Sequence, residues 1–174
     1  MQDILEKAAK IKLVIFDIDG VLTSGALFIG DDGQEYKAFN SKDGHGLRML
    51  QDGGVKVAII TGRQSEVVNH RAKDLGITLI YQGRREKLPA YEQLLAETGL
   101  THEEIAYVGD DVVDLPVMSR VGLAICVNNG HDFVKKHSHW VTQLDGGNGA
   151  GREVCEMLLE SRGQLQQMLQ AYLK

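Results

Sequence analysis

Cysteine is scarce in this sequence. Cys126 and Cys155 are its only two among 174 residues, too few for a disulfide framework, so a reducing cytoplasm is the expected compartment. Proline is equally rare. Two prolines beside 20 glycines without a period of three exclude a collagen-like chain. Long apolar runs are missing: Val55–Ile60, with Lys56 inside it, falls far short of a bilayer span. The first residues, Met1 to Lys7, mix charge among apolar side chains and lack the apolar stretch of a signal peptide, so no membrane association is expected. An excess of positive charge is absent too. With 19 Lys and Arg against 24 Asp and Glu the net charge is −5, which argues against general nucleic-acid binding. It leaves room for an anionic small molecule held by a few local cations or a metal.

What the chain does have is alternation. Apolar segments of strand length occur at Ile11–Phe16, Val55–Ile60, Thr78–Tyr81, Ile105–Val108 and Leu123–Val127, with a weaker one at Trp140–Thr142. Helical patterns lie between them near Gly46–Gln51, Ser65–Leu75, Lys87–Thr98, Val113–Arg120 and Asp132–Lys136. A last helical stretch, Arg152–Leu173, is expected to break at Gly163. This order predicts an α/β fold in one domain over residues 1–174: a Rossmann-like, three-layer parallel sheet with helices on both faces. Ligands of such sheets bind beyond the carboxyl ends of the strands. One segment departs from the alternation. Ala26–Ile29 and Glu35–Phe39, joined by Gly30-Asp31-Asp32-Gly33-Gln34, read as a β-hairpin inserted at about residues 25–39.

Four strand ends carry chemistry. The first runs into Asp17-Ile18-Asp19-Gly20, two carboxylates beside a buried strand that are costly there without a cation. The second ends in Thr61-Gly62-Arg63, a hydroxyl, a glycine and a cation suited to a phosphate. Lys87 opens a helix, against the helix dipole, where a buried anion would recruit it. The fourth strand ends in Gly109-Asp110-Asp111, with Asp114 close behind; Asp111 and Asp114 could serve as an ordinary acidic helix start, but Asp110 could not.

In this order, Asp-x-Asp, Thr, Lys and Gly-Asp-Asp, the sequence resembles the haloacid dehalogenase superfamily of aspartate-nucleophile phosphatases. The likeness extends over nearly the whole chain, through Ala38–Gly44, Ala58–Arg63, Tyr107–Asp111 and the Gly-rich Gly146–Cys155. It is narrowest in the capless branch that acts in lipopolysaccharide sugar synthesis. The resemblance implies Mg²⁺-dependent hydrolysis of an eight-carbon sugar acid phosphate. Asp17 would be the nucleophile and Asp19 the acid and base. Thr61 and Lys87 would hold the phosphoryl oxygens. Asp17, the backbone carbonyl of Asp19, and Asp110 would hold the metal. Asp111 and Asp114 would tune that site from outside. For the sugar the resemblance points to Asp19, Lys87, Asn40, Ser41, Lys42, Asp43 and Gly44, together with Arg48, Arg63 and Arg71. Surface ion pairs are the alternative role for Arg48 and Arg71.

Neither the interval from Asp19 to Thr61 nor that from Thr61 to Lys87 has room for a cap domain over the site. A neighbouring subunit is the economical source of the missing wall, and the resemblance implies a homotetramer whose hairpins meet. The Gly146–Arg152 segment is then expected to reach an adjacent site, its cation either missing or supplied by Arg152, because Asn148 stands where the family often has Arg. Arg84 and Arg85 are expected to be solvated. His131, His137 and His139 match no zinc spacing and read as surface residues. A capless phosphatase for a nine-carbon sialic-type sugar phosphate is an alternative with the same catalytic residues. A non-catalytic phosphatase-like binding protein is disfavoured because both Asp17 and Asp19 are present.

Overall fold

A computed structural model describes residues 2–174. In chain order its elements are α1 (Gln2–Ala8), β1 (Leu13–Phe16), the short pair β2 (Phe28–Ile29) and β3 (Glu35–Tyr36), α2 (Ser41–Asp52), β4 (Lys56–Ile60), α3 (Glu66–Asp74), β5 (Leu79–Tyr81), α4 (Lys87–Thr98), β6 (Ile105–Gly109), α5 (Leu115–Met118), β7 (Leu123–Cys126), α6 (Asp132–Lys136), β8 (Trp140–Val141), α7 (Ala150–Ser161) and α8 (Leu165–Ala171). Six strands form one parallel sheet in the order β5-β4-β1-β6-β7-β8.

The near-continuous apolar strands follow from burial on both faces. Val14 and Phe16 of β1 point into one core with Val57, Ile59, Ala106 and Val108, covered by α1, α2, α3 and α7. Leu13 and Ile15 point into the other with Ala58, Ile60, Ile105 and Tyr107, under α4, α5 and α6. Each fully buried Leu, Ile or Val stabilises the fold by roughly 1.5–3 kcal/mol relative to exposure. Strand order reverses at β1, which lies between β4 and β6, so the switch point opens where Asp17, Thr61 and Asp110 emerge.

Several sequence expectations need correction. α2 begins at Ser41, well before Gly46, because the Asn40 side chain accepts from the Lys42 and Asp43 N–H groups at 2.8 and 3.3 Å. Val113–Arg120 is not one helix but a turn of 3₁₀ helix at Val112–Asp114 followed by the short α5. α1 and the 3₁₀ turn at His102–Glu104 carried no clear apolar period. The hairpin's strands are shorter than its apolar arms, and Phe39 does not join its exposed face. That side chain packs against the core instead, with the Arg71 guanidinium 5.7 Å from its ring centre.

The Gly-rich segment is anchored within its own chain. Gly146 approaches Gly20 so closely that a Cβ would lie 1.7 Å from the Gly20 carbonyl oxygen, and the Gly147 N–H donates to Val21 at 2.9 Å. The run therefore buttresses the Gly20–Thr23 turn of its own chain. Arg152 is equally occupied: its N–H donates to Asp43 and its guanidinium pairs with Glu156. Among the described residues no helix is long and apolar enough to cross a membrane.

Candidate active site

Four consecutive backbone N–H groups, from Gly20 to Thr23, turn the chain sharply after β1. Those of Val21, Leu22 and Thr23 all donate to the Ile18 carbonyl, and the Thr23 hydroxyl accepts from Gly20 and Gly25. Gly20 has φ +89°, and a Cβ there would come within 2.1 Å of Asp110 Oδ2. Only glycine lets the two acidic loops approach so closely.

Asp17 is buried beneath this turn. Its Oδ1 accepts from the Ile18 N–H at 2.7 Å, and its Oδ2 lies 2.7 Å from Lys87 Nζ. The same Nζ lies 2.6 Å from Asp114 Oδ1, which also accepts from the Tyr107 hydroxyl at 2.7 Å. Asp114 Oδ2 accepts from the N–H groups of Asp110 and Asp111 at 3.0 and 3.2 Å. With four hydrogen bonds on its two oxygens, Asp114 is committed to positioning Lys87 and the Asp110 loop.

One carboxylate oxygen each from Asp17, Asp110 and Asp114 lies within 4.8 Å of the others. The two not saturated by protein donors, Asp17 and Asp110, strain against their surroundings. Burial first, and then repulsion from Asp114, pushes Asp17 up to about 6 despite Lys87. Burial, then Asp114 and Asp17, pushes Asp110 up to about 7. An all-oxygen site of crowded carboxylates suits a hard divalent cation, which relieves that repulsion. Burial works against the charge on Lys87, yet Asp17 and Asp114 hold its ammonium above the ordinary range. Burial and the adjacent carboxylates raise the Tyr107 phenol well above its usual value, keeping it a donor.

The cleft above has a volume of about 1020 Å³ and is lined by Asp17, Asp19, Thr61, Arg63, Lys87 and Asp110 among others. Thr61 is buried, and its backbone is tied to Tyr81 and Arg84 across the strand ends. Arg84 and Arg85 are exposed, as expected, but stand at the rim of this cleft. Two residues missed in the sequence come from the hairpin. Lys37 Nζ lies 2.6 Å from Asp19 Oδ1, and Glu35 pairs with both Lys37 and Arg63. The hydrogen bond to Arg63 holds Glu35 below the usual carboxylate range. Tyr107 was legible in principle, as the one polar-tipped side chain in an aliphatic strand.

The expected sugar contacts divide. Asp19, Arg63 and Lys87 line the cleft, whereas Asn40, Ser41, Lys42, Asp43, Gly44, Arg48 and Arg71 lie outside it in their own chain. Asn40 caps α2. Asp43 is buried and accepts the Arg152 N–H at 2.8 Å. Arg48 bonds the carbonyl and carboxylate of Asp74, and Arg71 bonds Asp74 and the Asn40 carbonyl. The reason is topological: α2 and α3 cover one face of the sheet rather than the strand ends. His131 caps α6, His137 stacks on Phe133, and His139 accepts from the Ala124 N–H, three separate local roles. Both cysteines are free and buried.

Comparison with known proteins places this geometry in context. A sequence model of haloacid dehalogenase-like hydrolases matches residues 79–152. The 3-deoxy-D-manno-octulosonate 8-phosphate phosphatase KdsC of Yersinia pestis is 45% identical over 164 residues, 94% of this chain and 88% of that protein. A probable YrbI family phosphatase from Pseudomonas syringae superposes with a TM-score of 0.98 at 48% identity, covering 100% of this chain and 99% of the other. The 3-deoxy-D-manno-octulosonate 8-phosphate phosphatase of Moraxella catarrhalis, solved with magnesium, phosphate and KDO, has a TM-score of 0.96 at 41% identity over 99% of each chain.

Proposed function

The chain belongs to the haloacid dehalogenase-like hydrolases, and we propose that within them it hydrolyses 3-deoxy-D-manno-octulosonate 8-phosphate to the free sugar acid and inorganic phosphate. It is a phosphoric monoester hydrolase with Mg²⁺ as its cofactor. The observation that carries the reading is the meeting of Asp17, Thr61, Lys87 and Asp110 in one cleft at the sheet's switch point.

In the first step an Asp17 carboxylate oxygen bonds phosphorus while the bond from phosphorus to the sugar oxygen breaks. Asp19 gives its proton to that departing oxygen. In the second step Asp19 takes a proton from a water, whose oxygen bonds phosphorus and releases Asp17. Thr61 and the Lys87 ammonium bind the phosphoryl oxygens and offset charge as it develops. Asp17, the Asp19 carbonyl and Asp110 would hold Mg²⁺, which when bound neutralises phosphoryl charge that these carboxylates would otherwise repel. Asp114 would stay outside that set because its oxygens are already filled by Lys87, Tyr107 and two backbone donors.

The enzyme works in the cytoplasm, in keeping with its two free thiols, and supplies lipopolysaccharide inner-core sugar synthesis. It is a homotetramer. Leu27, Phe28, Ile29 and Tyr36 of the hairpin are 48%, 55%, 58% and 59% exposed in the single chain, an apolar patch that a second hairpin would cover. Assembly also gives work to residues outside the cleft: Asn40, Ser41, Lys42, Arg48 and Arg71, which keep some exposure, would face the open cleft of a neighbouring subunit, with the buried Asp43 and Gly44 shaping the segment behind them. Purified protein with Mg²⁺, assayed against a panel of sugar phosphates, tests the reading. Preferred turnover of the eight-carbon acid phosphate is expected; preference for a nine-carbon sugar phosphate would overturn the substrate assignment.

A further inference from the structure

The second arm of the hairpin has two unlike sides. Glu35, Lys37 and Phe39 are half-buried, while Tyr36 and Ala38 between them are exposed, the period of two of an extended chain. The inward side ends in two anchors, Phe39 against the core and Asn40 capping α2. Those anchors fix the strand's direction as it leaves the hairpin, and so fix where Lys37 can reach.

Lys37 reaches the acid–base residue. Its side chain is only 3% exposed, and its Nζ sits 2.6 Å from Asp19 Oδ1. Among the described residues no other group hydrogen-bonds the Asp19 carboxylate. Glu35 Oε2, buried and without a hydrogen bond, lies 3.7 Å from the same ammonium, and Glu35 Oε1 binds Arg63 beside the phosphate-side loop. Four charges of alternating sign, Asp19, Lys37, Glu35 and Arg63, thus run from the catalytic turn through the hairpin to the Thr61 loop. Burying a lysine is costly unless it is paired, and this one is paired to a group that the reaction uses.

We infer that Lys37 is a positioning residue for the acid–base step: it occupies one oxygen of Asp19 and leaves the other for the departing sugar oxygen. The inference rests on the phosphatase reading above and adds to it a residue outside the strand-end motifs. Proton transfer requires hydrogen-bond reach and fixed orientation, and among the described residues this lysine is the one tether of the Asp19 carboxylate.

The test uses leaving groups. A sugar alkoxide needs a proton as it departs, whereas 4-nitrophenolate and acetate do not. Comparing kcat/KM, which reports the steps through departure of the leaving group, isolates the acid. Lys37→Met should lower kcat/KM for the sugar phosphate by about 100-fold, and for 4-nitrophenyl phosphate and acetyl phosphate by about tenfold less than that. Lys37→Arg, which keeps a cationic donor, should recover most of the loss. Equal losses on all three substrates, or none on the sugar phosphate, would overturn the positioning role while wild-type turnover leaves the phosphatase reading standing. Wild-type protein that cleaved only the activated esters would instead overturn that reading, and this inference with it.

Discussion

On the floor of the cleft both oxygens of Asp114 are filled twice over, and Lys87, Asp17 and Tyr107 are locked around it. A few residues away in the fold, the hairpin leaves Leu27, Phe28, Ile29 and Tyr36 in solvent. The first region is complete inside one chain. The second is finished only on its inward side, where Glu35 and Lys37 meet Arg63 and Asp19. The contrast separates two tasks. Phosphoryl chemistry demands atoms fixed to a fraction of an ångström, which a buried, fully bonded cluster supplies. Closing a cleft over a substrate demands a removable wall, and the apolar hairpin is suited to recruit one from another copy.

Breaking the floor should have the largest effects. Asp17→Asn removes the nucleophile of the proposed mechanism but keeps its shape, so turnover should fall by more than about 10⁴-fold while the protein still melts cooperatively. Measurable turnover near the wild-type rate would end the mechanism. Asp114→Ala leaves Lys87 with Asp17 alone and strands the buried Tyr107 hydroxyl and the Asp110 and Asp111 N–H groups, and should cost about 3–5 kcal/mol in denaturant unfolding, with activity lost as well. A loss as small as that of a surface substitution would mean the cluster is not the rigid floor described here.

The cation tests the floor more gently. Asp17 and Asp110 have folded-state values raised from 3.8 to about 6 and about 7. Below the unfolded value both are neutral in either state and cost nothing. As pH rises to about 7 the unfolded chain ionises more readily, so the metal-free protein loses stability across that window. Mg²⁺ binds the ionised pair, and its effect on Tm should therefore be larger at about pH 8 than at about pH 5. A shift independent of pH would remove these two carboxylates from the metal site.

Breaking the hairpin should act on assembly rather than on folding. Phe28→Asp with Ile29→Lys should give smaller species by light scattering and reduced catalysis. Its Tm should stay close to that of the dissociated wild-type chain, because both side chains are already wet there. A smaller effect is expected from Arg71→Ala. It should mainly raise KM for the acidic sugar phosphate and spare a small phosphate ester, provided neighbouring subunits complete the site. Unchanged KM for both would leave Arg71 with its internal partners alone, Asp74 and the Asn40 carbonyl.

The central strands β1, β4, β6 and β7 were legible as apolar runs buried on both faces, the half-buried edge strands β5 and β8 less sharply, and α4 because its period is clean and Gly99 ends it. The start of α2 was not, because Gly44 and Gly46 obscure its period and the true signal is a single capping side chain, Asn40. α1 was hidden by charge on its solvent side. In the site, Asp17, Thr61, Lys87 and Asp110 stood out because each is a polar group at the end of an apolar strand or at the start of the helix behind one. Lys37 did not: in the sequence it is one more lysine on a hairpin.

By itself, then, the sequence determined which groups must be paired, since carboxylates at the ends of buried strands are untenable without cations or donors. Local pattern also determined the strands, because a period of two or an unbroken apolar run states its own burial. Partnership was decided only in three dimensions. That Asp114 takes Lys87 and Tyr107, that Asp43 holds α7 rather than a cleft ligand, and that Gly146 rests on Gly20 all depend on contacts between distant segments. Such contacts leave no periodic trace, because a hydrogen bond of about 3 Å constrains two side chains and nothing of the chain between them.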